Sequence, residues 1–191
     1  MKKLLYTLLA VSIIFSACEE DTPLPAANNN TNNNNSALAI GDSHQGGIIF
    51  WLDGNGGGLI AAPSDQDSVA EWGCYGTSIP GADGTAIGTG AQNTIDIVNA
   101  NCFPFSAGSS LAADICANLT IGTYSDWFLP SKDELNQMYI NKSVIGSFSN
   151  NPYWSSTYSD SSSAWVQGFG NGDQNDANEN GTFYVRAIRD F

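Results

Sequence analysis

The sequence has few positive charges, little charge of either sign and no apolar run as long as a membrane span. Six Lys and Arg residues stand against 19 Asp and Glu residues, so the formal net charge is −13 over 191 residues. Nucleic acids and anionic membrane surfaces are bound chiefly by clustered Lys and Arg, so we expect neither as a partner. Charged residues make up only 13% of the chain, about half the usual fraction.

Polarity is supplied instead by uncharged residues. The chain has 20 Gly, 20 Asn and 21 Ser, together with 5 Trp, 7 Tyr and 9 Phe. The small and amide residues favour turns and loops, whereas the aromatic residues are numerous enough for a hydrophobic core. The composition therefore predicts a folded domain whose surface is rich in turns and amides.

The sequence also lacks the usual combinations of catalytic residues. His44 is the single His, and it lies in a polar segment with no nucleophile motif nearby, so we interpret it as a surface residue. The glycine-rich residues 54–58 lack the Gly-Lys-Ser/Thr of a phosphate-binding loop. No pair of carboxylates stands out, and no Cys-x-x-Cys motif suggests zinc. We therefore expect a protein that is not an enzyme.

The N-terminal segment is typical of an export signal. Lys2 and Lys3 precede about a dozen apolar residues ending at Phe15, a run too short for a spanning helix. The sequence Phe-Ser-Ala-Cys that ends at Cys18 resembles the lipobox of bacterial lipoproteins, which implies cleavage after residues 1–17 and lipidation of Cys18. Ordinary secretory cleavage, with Cys18 incidental, is the alternative. Cleavage would remove two basic residues and no acidic one, changing the formal charge from −13 to −15.

An Asn-rich tether is expected to follow. Residues 19–21 are acidic and resemble the export signal of surface lipoproteins in Bacteroidetes-type bacteria, although a solvated acidic start explains them equally well. Residues 22–36 consist mainly of Asn, Pro, Thr and Ala and cannot bury apolar area, so we expect them to stay flexible. The prediction is a tether over residues 18–36, one domain over residues 37–191, and a lipid-anchored location at the outer membrane or cell surface.

Three cysteines remain in the predicted domain, and an oxidising compartment would join two of them. Cys116 lies among apolar residues of a predicted helix and is expected to be a small buried residue. Cys74 and Cys102 lie in or beside loops, so we favour a disulfide between them. A Cys102–Cys116 bond is the competing pairing.

The hydrophobic pattern predicts an α+β fold. Residues 47–53 and 59–62 are β-rich and flank a glycine-rich turn, so they predict a hairpin. A long ordered loop is expected over residues 64–90. Helical spacing indicates helices over residues 92–101 and 111–119, the second capped by Ser109 or Ser110, and Ser131 with Glu134 forms a capping-box pattern that opens a third. Three further strands, predicted as a β-meander, are residues 153–157, 164–169 and 182–189.

Three sequence blocks resemble those of a bacterial extracellular domain family typified by the C-terminal domain of the Legionella collagen-like adhesin. Asp126-Trp-Phe-Leu-Pro-Ser-Lys-Asp-Glu-Leu135 is similar to its DWRLPTKEEL block, residues 153–157 to its YWSST block, and residues 184–189 to its VRCVR block. The blocks occur in the family order. Two departures are Phe128, where Arg is frequent, and Ala187, where Cys is frequent, so the usual late cysteine is absent.

The resemblance implies a C-type-lectin-like fold with an antiparallel sheet, two to three short helices, long loops and pairing of the N- and C-terminal strands. The fold is also similar to that of the formylglycine-generating enzyme, but that enzyme uses late cysteines and none follows Cys116 here. The adhesin relative implies binding to sulfated glycosaminoglycans, which needs a basic surface that this chain lacks. From the residues themselves, we expect Trp127, Leu129 and Trp154 to anchor the core. We expect Arg186 and Arg189 to pair internally with carboxylates.

The segment predicted to bind a ligand is the long polar connection near the C-terminus, residues 170–181, with the strand before it. Its amides and one aromatic ring suit sugar hydroxyls, and its carboxylates suit Ca²⁺, although the spacing is not that of an EF-hand. A plain polar surface loop is the alternative. The predicted ligand-binding residues are Trp165, Gln167, Asn171, Asp173, Asn175, Asp176 and Asn178. We expect no cofactor other than Ca²⁺, for which the predicted ligands are Asp173, Asp176 and Glu179.

The sequence thus predicts a surface lipoprotein whose lectin-like domain binds a glycan or another extracellular surface. The alternative is a structural or protein-partner module of the outer envelope with no small ligand.

Overall fold

A computed structural model describes residues 37–191. The predicted signal peptide, the lipidation site Cys18 and the tether lie outside these residues. No helix in the described part of the chain is both long and apolar enough to cross a membrane. The elements in chain order are β1 (Ser43–His44), β2 (Gly47–Leu52), β3 (Gly58–Ala61), β4 (Asp67–Glu71), a 3₁₀ helix (Pro80–Ala82), α1 (Gly90–Asn99), α2 (Ala112–Ala117), α3 (Lys132–Ile140), α4 (Lys142–Ile145), β5 (Pro152–Asp160), β6 (Ser163–Gly168), β7 (Gln174–Asn178), β8 (Thr182–Val185) and β9 (Ile188–Asp190).

The first sheet joins the two ends of the domain. Its strands are antiparallel in the order β1-β2-β3-β9. The hairpin β2–β3 confirms the prediction, and the carboxylate of Asp53 caps its turn by accepting hydrogen bonds from the N–H groups of Asn55 and Gly57. Leu59 of β3 pairs with Asp190 of β9, which confirms the expected pairing of the N- and C-terminal strands.

The second sheet has the order β4-β8-β5-β6-β7 and differs from the predicted meander. Strand β8 does not follow β7 in space. It lies between β4, to which it is antiparallel, and β5, to which it is parallel. Two segments predicted to be loops contain strands, namely residues 64–90, which include β4, and residues 170–181, which include β7. Both strands are short and largely polar, so neither shows the alternation of apolar residues that identifies a strand from sequence.

The helices also depart from the predicted pattern in two places. In α1 the residues that face inward are Gly90, Asn93, Thr94 and Ile97, whereas Ile95 is half exposed. The side chains of Asn93 and Thr94 are buried because they hydrogen-bond to Gly84 O and Leu129 O, respectively. Helix α2 starts after Leu111 with no side-chain cap, so the predicted cap by Ser109 or Ser110 is wrong.

The third helix begins as predicted. Ser131 Oγ accepts a hydrogen bond from Glu134 N, and a Glu134 carboxylate oxygen accepts one from Ser131 N at 2.7 Å, which completes the capping box of α3. The other Glu134 oxygen accepts the N–H of Gly88, just before α1. A side chain at Gly90 would meet this carboxylate, so glycine is required where α1 approaches the start of α3.

The core confirms the predicted anchors, because Trp127, Leu129 and Trp154 are all buried. Trp154 Nε1 donates to Ala70 O at 2.9 Å, and Trp72 Nε1 donates to Ser155 O at 2.8 Å, so two indoles tie β4 to β5. Antiparallel and mixed sheets, short helices and long loops, with paired terminal strands, make this an α+β fold of the C-type-lectin-like kind.

Candidate functional site

The predicted polar surface lies on the outer hairpin β6–β7. Trp165 of β6 pairs with Asp176 of β7, and Gln167 pairs with Gln174. The Lys132 ammonium lies 3.1 Å from the centroid of the Trp165 ring. One face of this ring is therefore already occupied by a cation from α3.

Three of the predicted ligand residues build the turn between β6 and β7. Gln167 is completely buried, and its amide donates to Gly172 O at 2.6 Å. The side chain of Asn171 donates to the Asp173 carboxylate at 2.6 Å and accepts the N–H of Asp173 at 3.2 Å. Gln167 is thus buried because the turn needs its amide, and its role as a ligand contact stays a prediction.

The remaining predicted residues of this hairpin stay at its surface. Asn175, Asp176 and Asn178 are exposed on β7, which forms an edge of its sheet. Whether they contact a ligand remains a prediction.

The three carboxylates predicted to bind Ca²⁺ are not brought together. Asp173 precedes β7, Asp176 lies within it and Glu179 follows it. An extended strand rises by about 3.3 Å per residue, so positions three apart are separated by about 10 Å along the chain. Among residues 37–191 no group of three or more His, Cys, Asp or Glu side chains could hold a metal. The predicted Ca²⁺ set therefore fails because its residues form a strand and not a loop.

Glu179 has a different and unexpected environment. Its side chain is completely buried, and neither carboxylate oxygen has a hydrogen-bond partner. Burial, with a smaller contribution from Asp160, raises the pKa of Glu179 to about 8. Its backbone accepts the N–H of Trp72 at 3.0 Å and donates to Ser162 O at 2.9 Å. Glu179 is thus a buried carboxyl group with a raised pKa, and its backbone joins the β7–β8 connection to Trp72, the residue after β4.

Both arginines pair internally, as predicted. Arg186 is buried and contacts Asp65 at 2.7 Å, and its guanidinium also donates to Ala62 O and Ser147 O. Arg189 contacts Asp126 at 2.7 Å, and hydrogen bonds from Arg189 lower the pKa of Asp126. The single His of the chain, His44, stacks edge-on against Phe191 with ring centroids 4.7 Å apart.

The most exposed large apolar side chains lie beside the disulfide. Cys74 and Cys102 are bonded, as predicted, and Cys116 is a buried free thiol whose pKa burial raises. The segment that follows Cys102, residues 102–106, is called the aromatic loop below. Its Phe103 is 82% exposed and its Phe105 is 68% exposed.

A third aromatic residue completes this surface. Tyr75 is 44% exposed, and its ring packs edge-on against Phe105 with centroids 5.7 Å apart. Because monomeric proteins seldom expose neighbouring large apolar groups without a use for them, this surface is a candidate binding site.

A buried carboxylate fixes the aromatic loop. Glu71, at the end of β4, accepts the N–H groups of Phe105 at 2.6 Å and Ser106 at 3.0 Å. Burial alone would raise the pKa of Glu71, but hydrogen bonds from Phe105, Ser106 and Ser109 outweigh it and lower this pKa. The loop therefore wraps an ionised acid, and charge-assisted hydrogen bonds of this kind are about twice as strong as neutral ones.

The backbone on both sides of the disulfide is unusual. Cys74 has φ 60° and Asn101 has φ 53°, both in the left-handed region that residues other than glycine seldom adopt. Such strain persists only where surrounding contacts impose it, and it concentrates at functional sites. Cys74 is one of the two bonded cysteines, and Asn101 directly precedes the other.

Two clefts flank the aromatic loop. The first has a volume of about 330 Å³ and is lined by Tyr75, Thr77, Asn101, Phe103 and Phe105. The second has a volume of about 530 Å³ and includes Ser109, Asp114 and Asn118 in its lining. Asn101, Cys102 and Phe103 line both. Phe103 thus stands between two neighbouring clefts, which are called the Tyr75 cleft and the Asp114 cleft below.

A more apolar cleft of about 370 Å³ runs along α1. Ala91, Ile95 and Val98 of α1 line one side, and Trp127 and Phe128 line the other. Ile95 is 52% exposed there. This cleft lies against α1 and carries little polar chemistry.

Sequence reasoning did not identify the aromatic loop, although the sequence contains a signal for it. Phe103-Pro104-Phe105 directly follows a cysteine and is flanked by Asn, Ser, Ala and Gly. Their segment shows neither helical nor strand periodicity. The two Phe residues on either side of the Pro therefore belong to no predicted apolar face of a helix or strand. The contact with Glu71, 34 residues earlier, could not be inferred from this pattern.

Comparison with known protein families places part of the chain in a described family. The profile of the family described as the Lcl C-terminal domain matches residues 81–189, from within the 3₁₀ helix to the middle of β9. A search of curated proteins finds no match.

Proposed function

The chain belongs to the Lcl C-terminal domain family, and we propose that it is a surface lipoprotein whose lectin-like domain binds a glycan. Members of this family are extracellular, adhesin-like domains, and a disulfide between Cys74 and Cys102 suits an oxidising compartment. The acidic composition argues against nucleic acid and anionic lipid as binding partners.

One observation carries the binding role, namely the rigid exposure of Phe103 and Phe105. Exposing 82% and 68% of these side chains to water loses the stabilisation that their burial would give. The loop that carries them is nevertheless held by Glu71 and by the disulfide. A fixed, exposed aromatic surface loses little entropy on binding a ligand, so it is suited to recognition.

The contacts of the charged side chains favour a binding function over a catalytic one. Arg186, Arg189 and Glu71 are all engaged in contacts that hold the fold. A catalytic pair would require titratable groups that face a common cleft with their hydrogen-bonding capacity free. We therefore include in the proposal that the domain has no enzymatic activity and needs no cofactor.

A glycan array tests the binding role. The full chain, purified in detergent and fluorescently labelled, is applied to immobilised glycans with and without Ca²⁺. We expect binding that does not depend on Ca²⁺, because Asp173, Asp176 and Glu179 do not form a common site. Absence of binding under both conditions would contradict the proposed function.

The lipid anchor is tested separately through Cys18. The sequence before Cys18 supports lipidation of its thiol, so Cys18→Ala should move the protein from the membrane fraction to the soluble fraction. Incorporation of an alkyne-labelled fatty acid should be lost at the same time. Cys116→Ala is the matched control and should leave both unchanged, since Cys116 is buried. Labelling that persists in Cys18→Ala would contradict the anchor.

A protein-partner module is the second candidate function. The apolar cleft beside α1, with the half-exposed Ile95, favours it. Affinity capture from envelope extract should then yield one stoichiometric partner that Ile95→Asp no longer retains. Val69→Asp is the control, because Val69 is also exposed but lies on β4.

A further inference from the structure

We propose that the aromatic loop forms two adjacent subsites for an uncharged saccharide, with consecutive sugar rings packing on opposite sides of Phe103. The inference rests on the proposed glycan-binding function and adds the location of the site and the class of its ligand. It starts from the position of Phe103, which lines both the Tyr75 cleft and the Asp114 cleft.

The two clefts have dimensions suited to single sugar units. Their volumes, about 330 and about 530 Å³, lie in the lower half of the range of ligand-binding cavities. They are neighbours because Asn101, Cys102 and Phe103 are shared. A chain of two or more rings can therefore occupy both clefts, with the linkage passing over the shared residues.

The chemistry of the walls suits sugars. One face of a pyranose ring presents C–H groups, which pack on the electron-rich face of an aromatic ring. Tyr75, Phe103 and Phe105 supply such rings in the Tyr75 cleft. Thr77 and Asn101 in that cleft, and Asn118 in the other, supply hydroxyl and amide groups for hydrogen bonds to a sugar. Ser109 donates its hydroxyl proton to Glu71, so only its oxygen can accept a hydrogen bond from a ligand.

The ligand should carry no negative charge. Residues 37–191 contain four basic side chains, and all four have internal contacts. Arg186 and Arg189 pair with carboxylates, Lys132 lies over Trp165, and Lys142 lies 4.4 Å from the Tyr139 ring centroid and donates to Phe169 O. None of the four lines either cleft, whereas Asp114 lines one. A sulfate or carboxylate on the sugar would therefore meet repulsion without a compensating cation.

The site is held in its binding conformation before any ligand arrives. The disulfide fixes Cys102 at one end of the aromatic loop, and Glu71 fixes Phe105 and Ser106 at the other. The backbone is left-handed at Cys74, which forms half of the disulfide, and at Asn101, which directly precedes Cys102. Phe103 projects from the segment between these two attachments, so the disulfide and Glu71 set the position of its backbone.

The experiment compares the full chain in detergent with two variants on an array of neutral, sialylated and sulfated glycans. In Phe103→Ala the wall between the subsites is removed, and Val69→Ala is the matched control, because Val69 is 62% exposed but lines neither cleft. Since 82% of Phe103 is exposed, its replacement should not affect folding, and circular dichroism checks this. The strongest neutral glycan is then titrated as fragments of one to four units.

We expect binding to neutral glycans, a loss of about tenfold or more in Phe103→Ala and no change in Val69→Ala. Affinity should rise from one unit to two and then level off. Tyr75→Ala should weaken binding without changing the preference for neutral glycans, since Tyr75 lines one cleft only.

Several outcomes would overturn the inference. Unchanged binding by Phe103→Ala would place the glycan elsewhere and leave the proposed function intact. A preference for sulfated or sialylated glycans would contradict the uncharged ligand. Capture of a protein partner that depends on Phe103, without glycan binding, would assign the loop to a protein. Failure of the unaltered chain to bind any glycan would overturn the proposed function together with the inference.

Discussion

Arg186 and Arg189 both pair with an aspartate at 2.7 Å, but their surroundings differ. Arg186 is completely buried and also donates to two backbone carbonyls, whereas Asp126, the partner of Arg189, has a side chain that is 62% exposed. Water can replace a lost partner at an exposed carboxylate but not at a buried one. The two ion pairs should therefore contribute different amounts to the free energy of unfolding.

We predict that Arg186→Met lowers the free energy of unfolding by roughly 3–5 kcal/mol, because Asp65 and two carbonyls lose their donor. Arg189→Met should lower it by roughly 1 kcal/mol, since Asp126 becomes hydrated. Urea denaturation of both variants measures the difference. Equal losses would show that burial does not separate the two pairs.

Glu179 is the second residue whose environment predicts behaviour. Its pKa is about 8 in the folded protein against an ordinary value of 4.5. Between these two values the folded state binds a proton that the unfolded state does not, so stability falls as pH rises from about 4.5 and levels off above about 8. The stability that the raised pKa of Glu179 contributes is fully present only below about pH 4.5.

We predict that Glu179→Gln removes this part of the pH dependence. The variant should gain stability relative to the unaltered protein as pH rises from 5 to 9, measured by urea midpoints at pH 5, 7 and 9. Asp176→Asn is the control, because it removes an acid from the exposed edge strand β7 nearby. Parallel pH curves for Glu179→Gln and the unaltered protein would contradict the buried, uncharged carboxyl.

At the scale of elements, features that depend on neighbouring residues were predictable from the sequence, whereas features that depend on long-range contacts were not. The hairpin β2–β3 and the capping box of α3 follow from turn and cap residues within a few positions of one another, and both were predictable. Strand β7 was not, because Gln174–Asn178 has no apolar alternation, and its strand conformation comes from pairing with β6. The exposure of Ile95 was missed for a similar reason, since buried polar contacts of Asn93 and Thr94 turn α1 on its axis.

The disulfide is the element-scale contact with the largest predicted effect. Cys74 and Cys102 are 28 residues apart, and closing a loop of that length stabilises the folded state by roughly 3–4 kcal/mol. Replacing both by Ser should therefore lower the free energy of unfolding by about that amount. Urea denaturation measures it, and Cys116→Ala, which removes one buried sulfur, should cost only about 1 kcal/mol. Similar losses for the two proteins would argue against the loop-closure effect.

At the scale of the whole molecule, net charge and its distribution govern association. The described residues have four basic and 16 acidic side chains, and the basic ones are engaged in internal contacts. The excess of acidic side chains repels polyanions at long range, and no available cation binds them at short range. Both effects disfavour association with a polyanion.

We predict that the full chain in detergent is not retained on immobilised heparin at physiological salt. Lowering the ionic strength should not produce retention, because reduced screening strengthens repulsion between like charges. Elution in the flow-through at both salt concentrations is the expected result. Retention that weakens with salt would indicate a basic surface that residues 37–191 do not provide.

The sequence by itself determined the properties that depend on composition and on short-range pattern. These are the acidic charge, the family blocks, the hairpin, the capping box and the core anchors. Each depends on residue types or on neighbours along the chain, which the sequence displays directly.

Only the tertiary structure decided which residues form a surface. Gln167 and Glu179 look like surface polar residues in the sequence but are buried, because the β6–β7 turn and the β7–β8 connection need them inside. Phe103 and Phe105 belong to a residue type that is usually buried, but they are exposed on a loop that Glu71 and the disulfide hold in place. Burial depends on contacts between distant segments, and the candidate binding site is made of such contacts.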